Sequence, residues 1–178
     1  MISVYNLKPK FQKLLVPLLV LLRKLGMSPN HITVFSVFFS IFIAYVLVKA
    51  PENNILFLMV SLGLLFRMML NALDGMMAKK YNLQSKLGEI LNEIGDIISD
   101  IAIFFPFLYF DDIRFEYVLA FILLSVINEF CGLLAKTISG ERRYDGPMGK
   151  SDRALFVGLI CIGLYFTNSI IYIINYLF

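Results

Sequence analysis

Charge is scarce in this sequence. Only 16% of its 178 residues are Asp, Glu, Lys or Arg, while 59% are hydrophobic and the mean hydropathy is +0.79. A soluble domain of this length has no need of so much apolar surface, so the shortage places the chain among membrane proteins. The net charge of +3 is too small to argue for a nucleic-acid partner. Cysteine is rare too: Cys131 and Cys161 lie far apart in apolar runs, which excludes a disulfide framework and reads as two small buried hydrophobes. The one histidine, His31, stands beside a helix start and reads as a residue of that start. A secretory leader is not expected, because LLVPLLVLL (14–22) runs straight into Arg23-Lys24 with no small-residue cleavage site. No internal repeat is visible and no stretch is left over for a soluble domain, so residues 1–178 read as a single membrane domain.

What is present is a series of apolar runs. Lys8, Lys10 and Lys13 alternate with Leu7, Phe11, Leu14 and Leu15, which predicts an amphipathic surface helix over 3–24 with lysines toward anionic headgroups. The competing reading, a short first span, has too few apolar residues to cross a bilayer core. Gly26 is a helix stop, and Ser28-Pro29 is a cap followed by a first-turn proline. The bundle then occupies 29–178, with spans at about 29–49, 55–79, 86–110 and 116–138, a basic loop over 139–151, and a last span within 153–178. Thr167-Asn168-Ser169 can interrupt that stretch, so the expectation is five to six transmembrane helices in an all-α integral membrane protein. All Lys and Arg except Lys49, Arg67 and Arg114 fall in the surface helix, the 79–86 loop or the 136–153 segment. The positive-inside rule therefore puts the N-terminus and both basic loops in the cytoplasm.

Against this background the stretch 71–100, NALDGMMAKKYNLQSKLGEILNEIGDIISD, is anomalous. On a helical wheel Glu89, Asn92, Glu93, Asp96 and Asp100 share one arc, and Ser85 joins them. On the preceding span Arg67, Asn71, Asp74, Gly75 and Ala78 share another. If the two spans are antiparallel neighbours, Asn71, Asp74, Asn92 and Asp96 meet at one depth, about 10–15 Å from the cytoplasmic helix ends. Each acid in the bilayer costs about 2.5–3.5 kcal/mol even on a lenient scale, so none can face lipid. They must line a water-filled cleft, pair with cations or bind metal. Their oxygens are hard donors that suit Mg²⁺, Mn²⁺ or Ca²⁺, and Gly75 and Ala78 leave room beside Asp74 for a bulky ligand. Packing through small residues would explain the glycines and amides but not the carboxylates.

These residues resemble the CDP-alcohol phosphatidyltransferases, which carry Asp-x2-Asp-Gly-x2-Ala-Arg-x8-Gly-x3-Asp-x3-Asp. Asp74-Gly75, Ala78, Gly88 and Asp96 fit that pattern without insertion or deletion. GMSPNHIT upstream and GKSDRAL downstream resemble the entries to the family's first and fifth spans, so the likeness covers nearly the whole chain. Asn71 and Asn92 stand where the family has its first and third Asp, and Lys79 replaces Arg; a bacterial branch shares NALDG and LNE. The resemblance implies metal-site positions at Asn71, Asp74 and Asn92, and a base that deprotonates the acceptor alcohol at Asp96. Glu93, next to Asn92, is the expected compensator for lost charge, with Glu89 second. Asn30, Asp74, Gly75, Ala78, Lys79 and Gly88 would border the nucleotide donor.

The basic loop supplies Arg142, Arg143, Lys150 and Arg153 near the cleft mouth, with Lys136 ending the fourth span. These read either as phosphate recognition for the acceptor or donor or as attraction to anionic headgroups. Asn128 and Glu129, in a membrane interior, should touch the cleft or a neighbouring helix. The combined expectation is an inner-membrane enzyme, multi-pass and with its site on the cytoplasmic side. It would use Mg²⁺ or Mn²⁺, with Ca²⁺ able to stand in, to transfer a phosphatidyl group from CDP-diacylglycerol or a related CDP-linked lipid to an alcohol or polyol phosphate, releasing CMP in phospholipid biosynthesis. Homodimerisation is expected from the resemblance. Two alternatives stay open: a weak or inactive paralogue that binds CDP-lipid, and a transporter with acids along its path, for which no repeat speaks.

Overall fold

A computed structural model describes residues 8–110, 113–139 and 148–166. Helix α1 (Lys8–Lys24) occupies most of the predicted surface helix; residues 3–7 lie outside the described residues. It is docked rather than only laid on a surface, because Leu15 and Leu19 are buried against Ile32, Leu70, Leu73 and Met77, while Lys13 and Lys24 stay exposed. Gly26 (φ 78°) ends it, with Met27 N–H donating to Leu22 O at 3.1 Å and Gly26 N–H to Arg23 O at 3.0 Å. That is a Schellman closure, which needs a left-handed residue where glycine costs nothing.

Helix α2 (Pro29–Lys49) starts as the sequence reading expects. Ser28 Oγ accepts from His31 N–H at 3.3 Å, and His31 Nδ1 accepts from Ser28 N–H at 3.5 Å, a capping box ahead of Pro29. His31 is thus a helix-start residue. Helix α3 spans Ile55–Lys80, α4 Lys86–Phe104, α5 Phe115–Ser139 and α6 Lys150–Phe166. Helix α4 stops short of the expected residue 110: Pro106 has no N–H to continue the ladder, and Phe105–Tyr109 tighten into a 3₁₀ turn. The stretch beyond Phe166, where a sixth span was expected, lies outside the described residues.

By length and composition α2, α3 and α5 can each cross a membrane. Helix α4 carries four acids, yet its outward ridge is Leu87, Ile90, Ile94 and Ile98. Helix α6 exposes Leu155, Leu159, Ile162 and Phe166. The outer surface of both is therefore apolar, as an integral membrane bundle requires.

One neighbour relation differs from expectation. Close backbone packing joins α2 to α3, α2 to α4, and α3 to α6, whereas α3 and α4 do not pack along each other. The reason lies in side-chain size. On α2's two flanks stand Gly63 and Gly95, where an added Cβ would come within 3.0 Å of Ile43 and Val37 respectively, so those backbones close tightly. Asn71 and Asp74 bond instead to α2, Asn92 and Asp96 to each other and to α6, and Arg67–Asp100 is an ion pair that joins α3 to α4.

Candidate active site

Asn71 and Asp74 stand in the half of α3 nearest the basic turn to α4, and Asn92 and Asp96 in the first three turns of α4 after it. Asp74, on α3, is 5% exposed, and its Oδ2 is 3.0 Å from the Thr33 hydroxyl of α2. That hydroxyl also lies 3.1 Å from Pro29 O, but it has one proton and a carboxylate is the stronger acceptor. One turn earlier Asn71 Oδ1 accepts from Ser36 Oγ at 2.9 Å. Thr33 and Ser36 therefore present two α2 hydroxyls to two α3 acceptors at helical spacing.

Asp96 stands on α4. Its Oδ2 is 3.5 Å from Asn92 Nδ2, one turn away, and its Oδ1 is paired with Lys150 Nζ from the first turn of α6. Lys150 thus meets the α4 carboxylate from α6. Beside Asp74, Gly75 is exposed and a Cβ there would meet nothing within 4 Å, so the expected room for a bulky ligand is present. Across the mouth Gly88 lies against Asn30: a Cβ would come within 2.8 Å of Asn30 Oδ1. Ser85, on the predicted arc, caps α4 by accepting from Gly88 N–H at 3.0 Å.

Deeper in the bundle lies a second set of charges. Arg153 of α6 is 2% exposed and donates through Nε (3.0 Å) and Nη2 (2.7 Å) to Asp100 Oδ2 and through Nη2 to Glu129 Oε1 of α5 (2.5 Å). Arg67 Nη2 of α3 is 2.9 Å from Asp100 Oδ1. That last contact is an ion pair without hydrogen-bond directionality, since Arg67 Nε and Nη2 complete no hydrogen bond among the described residues. Two arginines and two acids so tie α3, α4, α5 and α6 together, each charge lost to lipid being recovered from a neighbour.

This overturns the placement of Arg153 at the phosphate-binding rim. Its guanidinium is consumed by Asp100 and Glu129, because buried acids cannot be left without a counter-charge. The sequence shows that Asp100 and Glu129, within apolar spans, need cations, but not which cation serves them. Glu129 meets a neighbouring helix as expected, whereas Asn128 is exposed on the outer face of α5. Cys131 is also exposed rather than buried; Cys161 is buried. Lys79 is exposed at the end of α3 and Ala78 is half-buried. Lys136 lies in α5 with its side chain not described, and Arg142 and Arg143 fall outside the described residues. Thr33 and Ser36 were missed, though two hydroxyls at helical spacing in a Phe/Val-rich span are a readable signal.

The donor set is two carboxylates and two amides, all hard oxygen chemistry. Asp74 accepts from the Thr33 hydroxyl on Oδ2 and from Gly75 N–H on Oδ1, Asn71 Oδ1 accepts from Ser36, and each oxygen retains a further lone pair. That fits one Mg²⁺ or Mn²⁺, ions that bind through one or two carboxylates plus phosphates and water. No group of three acids, histidines or cysteines converges as a metal site among the described residues. Glu93 is half-buried and Glu89 exposed, and both have partners.

An all-α bundle with apolar outer faces, buried carboxylates and half-buried amides is an integral membrane protein by its architecture. The chain belongs to the CDP-alcohol phosphatidyltransferase family, whose model matches residues 26–178. It is 46% identical over 165 residues to the inner membrane protein YnbA of Escherichia coli (strain K12), covering 92% of this chain and 82% of that relative. It is also 36% identical over 99 residues to an uncharacterized protein of Aquifex aeolicus (strain VF5), covering 53% of this chain and 46% of that one. The family makes this a membrane transferase acting on a CDP-linked alcohol.

Proposed function

We propose that the chain transfers a phosphatidyl group from CDP-diacylglycerol, or a related CDP-linked lipid, to an alcohol or polyol-phosphate acceptor at the cytoplasmic face of a bacterial inner membrane, in phospholipid biosynthesis. The observation that carries this reading is Asp74 of α3, held by Thr33 beside the open backbone of Gly75, with Asp96 of α4 paired to Lys150. Asp74, fixed by Thr33, and the Asn71 and Asn92 amides border the donor's diphosphate. A bound Mg²⁺ or Mn²⁺, held by Asp74 with those amides, would neutralise the diphosphate and stabilise charge leaving with CMP. Asp96 accepts the proton of the acceptor hydroxyl. The acceptor oxygen then bonds to the lipid-bearing phosphorus as the bond from that phosphorus to the oxygen of CMP breaks. Asn30 and Gly88 close one edge of the mouth, and Lys79 stands exposed near it. Lys136, Lys150 and the loop arginines Arg142 and Arg143 supply cations for phosphate oxygens. The lipid chains would lie in apolar grooves such as that between α2 and α4, lined by Val34, Val37, Phe38, Leu91 and Ile98, which begins at Thr33.

The test is CMP release from CDP-diacylglycerol by the purified chain, across polyols, amino alcohols and their phosphates, with Mg²⁺ or Mn²⁺ and with EDTA. Metal-dependent CMP release with at least one acceptor is expected. Absence of CMP with every acceptor, despite bound CDP-lipid, would sink the enzyme reading in favour of a binding-only paralogue; transport without cleavage would favour the carrier reading.

A further inference from the structure

With Asp at positions 71 and 92 the four positions 71, 74, 92 and 96 would carry four carboxylates; with Asn71 and Asn92 they carry two, Asp74 and Asp96. An ammonium is then placed on one of the two, because Lys150 pairs with Asp96 and its side chain is 22% exposed. Its position is fixed by more than that one contact. Arg153, one turn on, is locked on Asp100 and Glu129 and donates through Nη1 to Met148 O at 2.9 Å. Met148 has φ 66°, a conformation that costs a residue with a side chain, and Gly149 N–H donates to Asp152 Oδ2 at 3.2 Å. The start of α6 is thereby clamped, with Lys150 on the same face as Arg153. Lys150 and Arg153 form a ladder on Asp96 and Asp100, which are themselves one turn apart on α4.

We propose that Lys150 is the resident cation of the cleft. Its ammonium supplies part of the positive charge that transfer from a diphosphate requires, and the chain takes up a single divalent ion whose binding depends on the donor's phosphates. This inference rests on the phosphatidyl-transfer reading. One carboxylate and amides hold a hard divalent ion weakly, and a nearby ammonium repels it further. A diphosphate reverses both effects by adding anionic ligands. Lys150 has three N–H donors, so its contact with Asp96 leaves others for the phosphate. Arg153 is the positioning residue that holds the turn from which Lys150 reaches.

Mn²⁺ binding to the full-length chain in detergent, followed by electron paramagnetic resonance and calorimetry, tests this without turnover. Wild type should bind Mn²⁺ negligibly alone, and one ion per chain when CDP-diacylglycerol is present. Lys150→Gln should tighten Mn²⁺ binding to the lipid-free protein by roughly tenfold or more, because it frees Asp96 and removes a repelling charge. Lys150→Arg should bind as wild type does. Two ions per wild-type chain, or tight binding without the lipid, would overturn the inference whether or not the variants fold. So would an unchanged Mn²⁺ affinity in Lys150→Gln at a wild-type melting temperature. A protein that shows the expected binding and releases no CMP would refute the transfer reaction while leaving the cation assignment standing.

Discussion

At the scale of single residues, the cleft works by giving each of its acceptors a partner, on another helix for Asp74 and Asn71 and on both its own and another helix for Asp96. Asp74 is oriented by Thr33, Asn71 by Ser36 and Asp96 by Asn92 and Lys150. Asp96→Asn keeps the shape but cannot accept a proton. It should lower the rate of CMP release by about 10²–10⁴-fold while CDP-diacylglycerol still binds, measured by turnover beside equilibrium lipid binding. Near-normal turnover would remove Asp96 from the base role. The family pattern made Asp74, Gly75, Gly88 and Asp96 legible from sequence, because their spacing survives any detail of packing. Arg153 was not legible as a buried counter-ion, because its partners lie 53 and 24 residues away on other helices. A basic residue after a basic loop reads as rim until tertiary structure shows which acids need it.

At the scale of elements, the helices were largely readable and their neighbours were not. Caps at Ser28 and Ser85, the stop at Gly26 and the apolar run lengths set the boundaries locally, while Pro106 shortened α4. Which helices touch depends on where small residues let backbones approach, and that is a property of pairs. Gly63 and Gly95 drew α3 and α4 onto α2 rather than onto each other. What α3 and α4 lack in direct packing is supplied by Arg67, Asp100, Glu129 and Arg153. Arg153→Met deletes the guanidinium between Asp100 and Glu129 and should cost about 3–5 kcal/mol, read as a lowered melting temperature in detergent. Replacing Arg153 and Glu129 together by apolar residues should recover part of that loss, since Asp100 retains Arg67. A single variant as stable as wild type would show the set to be dispensable.

At the scale of the whole molecule, charge predicts an orientation that labelling can test. The turn between α3 and α4 carries Lys79, Lys80 and Lys86, whereas the entry to α5 carries only Arg114, beside Glu116. In a background with Cys131 and Cys161 replaced by serine, a cysteine at Asn82 should be labelled by a membrane-impermeant maleimide only after the inner face is opened. One at Glu116 should label in intact cells. The reverse pattern would place the cleft on the outer face. Overall class, an apolar helical bundle with one polar cleft, was the most legible property, because it depends on composition rather than on contacts.

The ladder between α4 and α6 has a consequence for how the chain is made. Its acids are synthesised first, at Asp96, Asp100 and Glu129, and its cations come last, at Lys150 and Arg153. Until α6 emerges from the ribosome, Arg67 is the bundle's own buried counter-charge for Asp100. Without α6, helix α4 therefore carries Asp96 without the Lys150 ammonium beside it, at a cost in lipid of about 2.5–3.5 kcal/mol. The arrival of α6 both seats that helix and completes the cleft, so no partially inserted chain can present a finished site to its substrates.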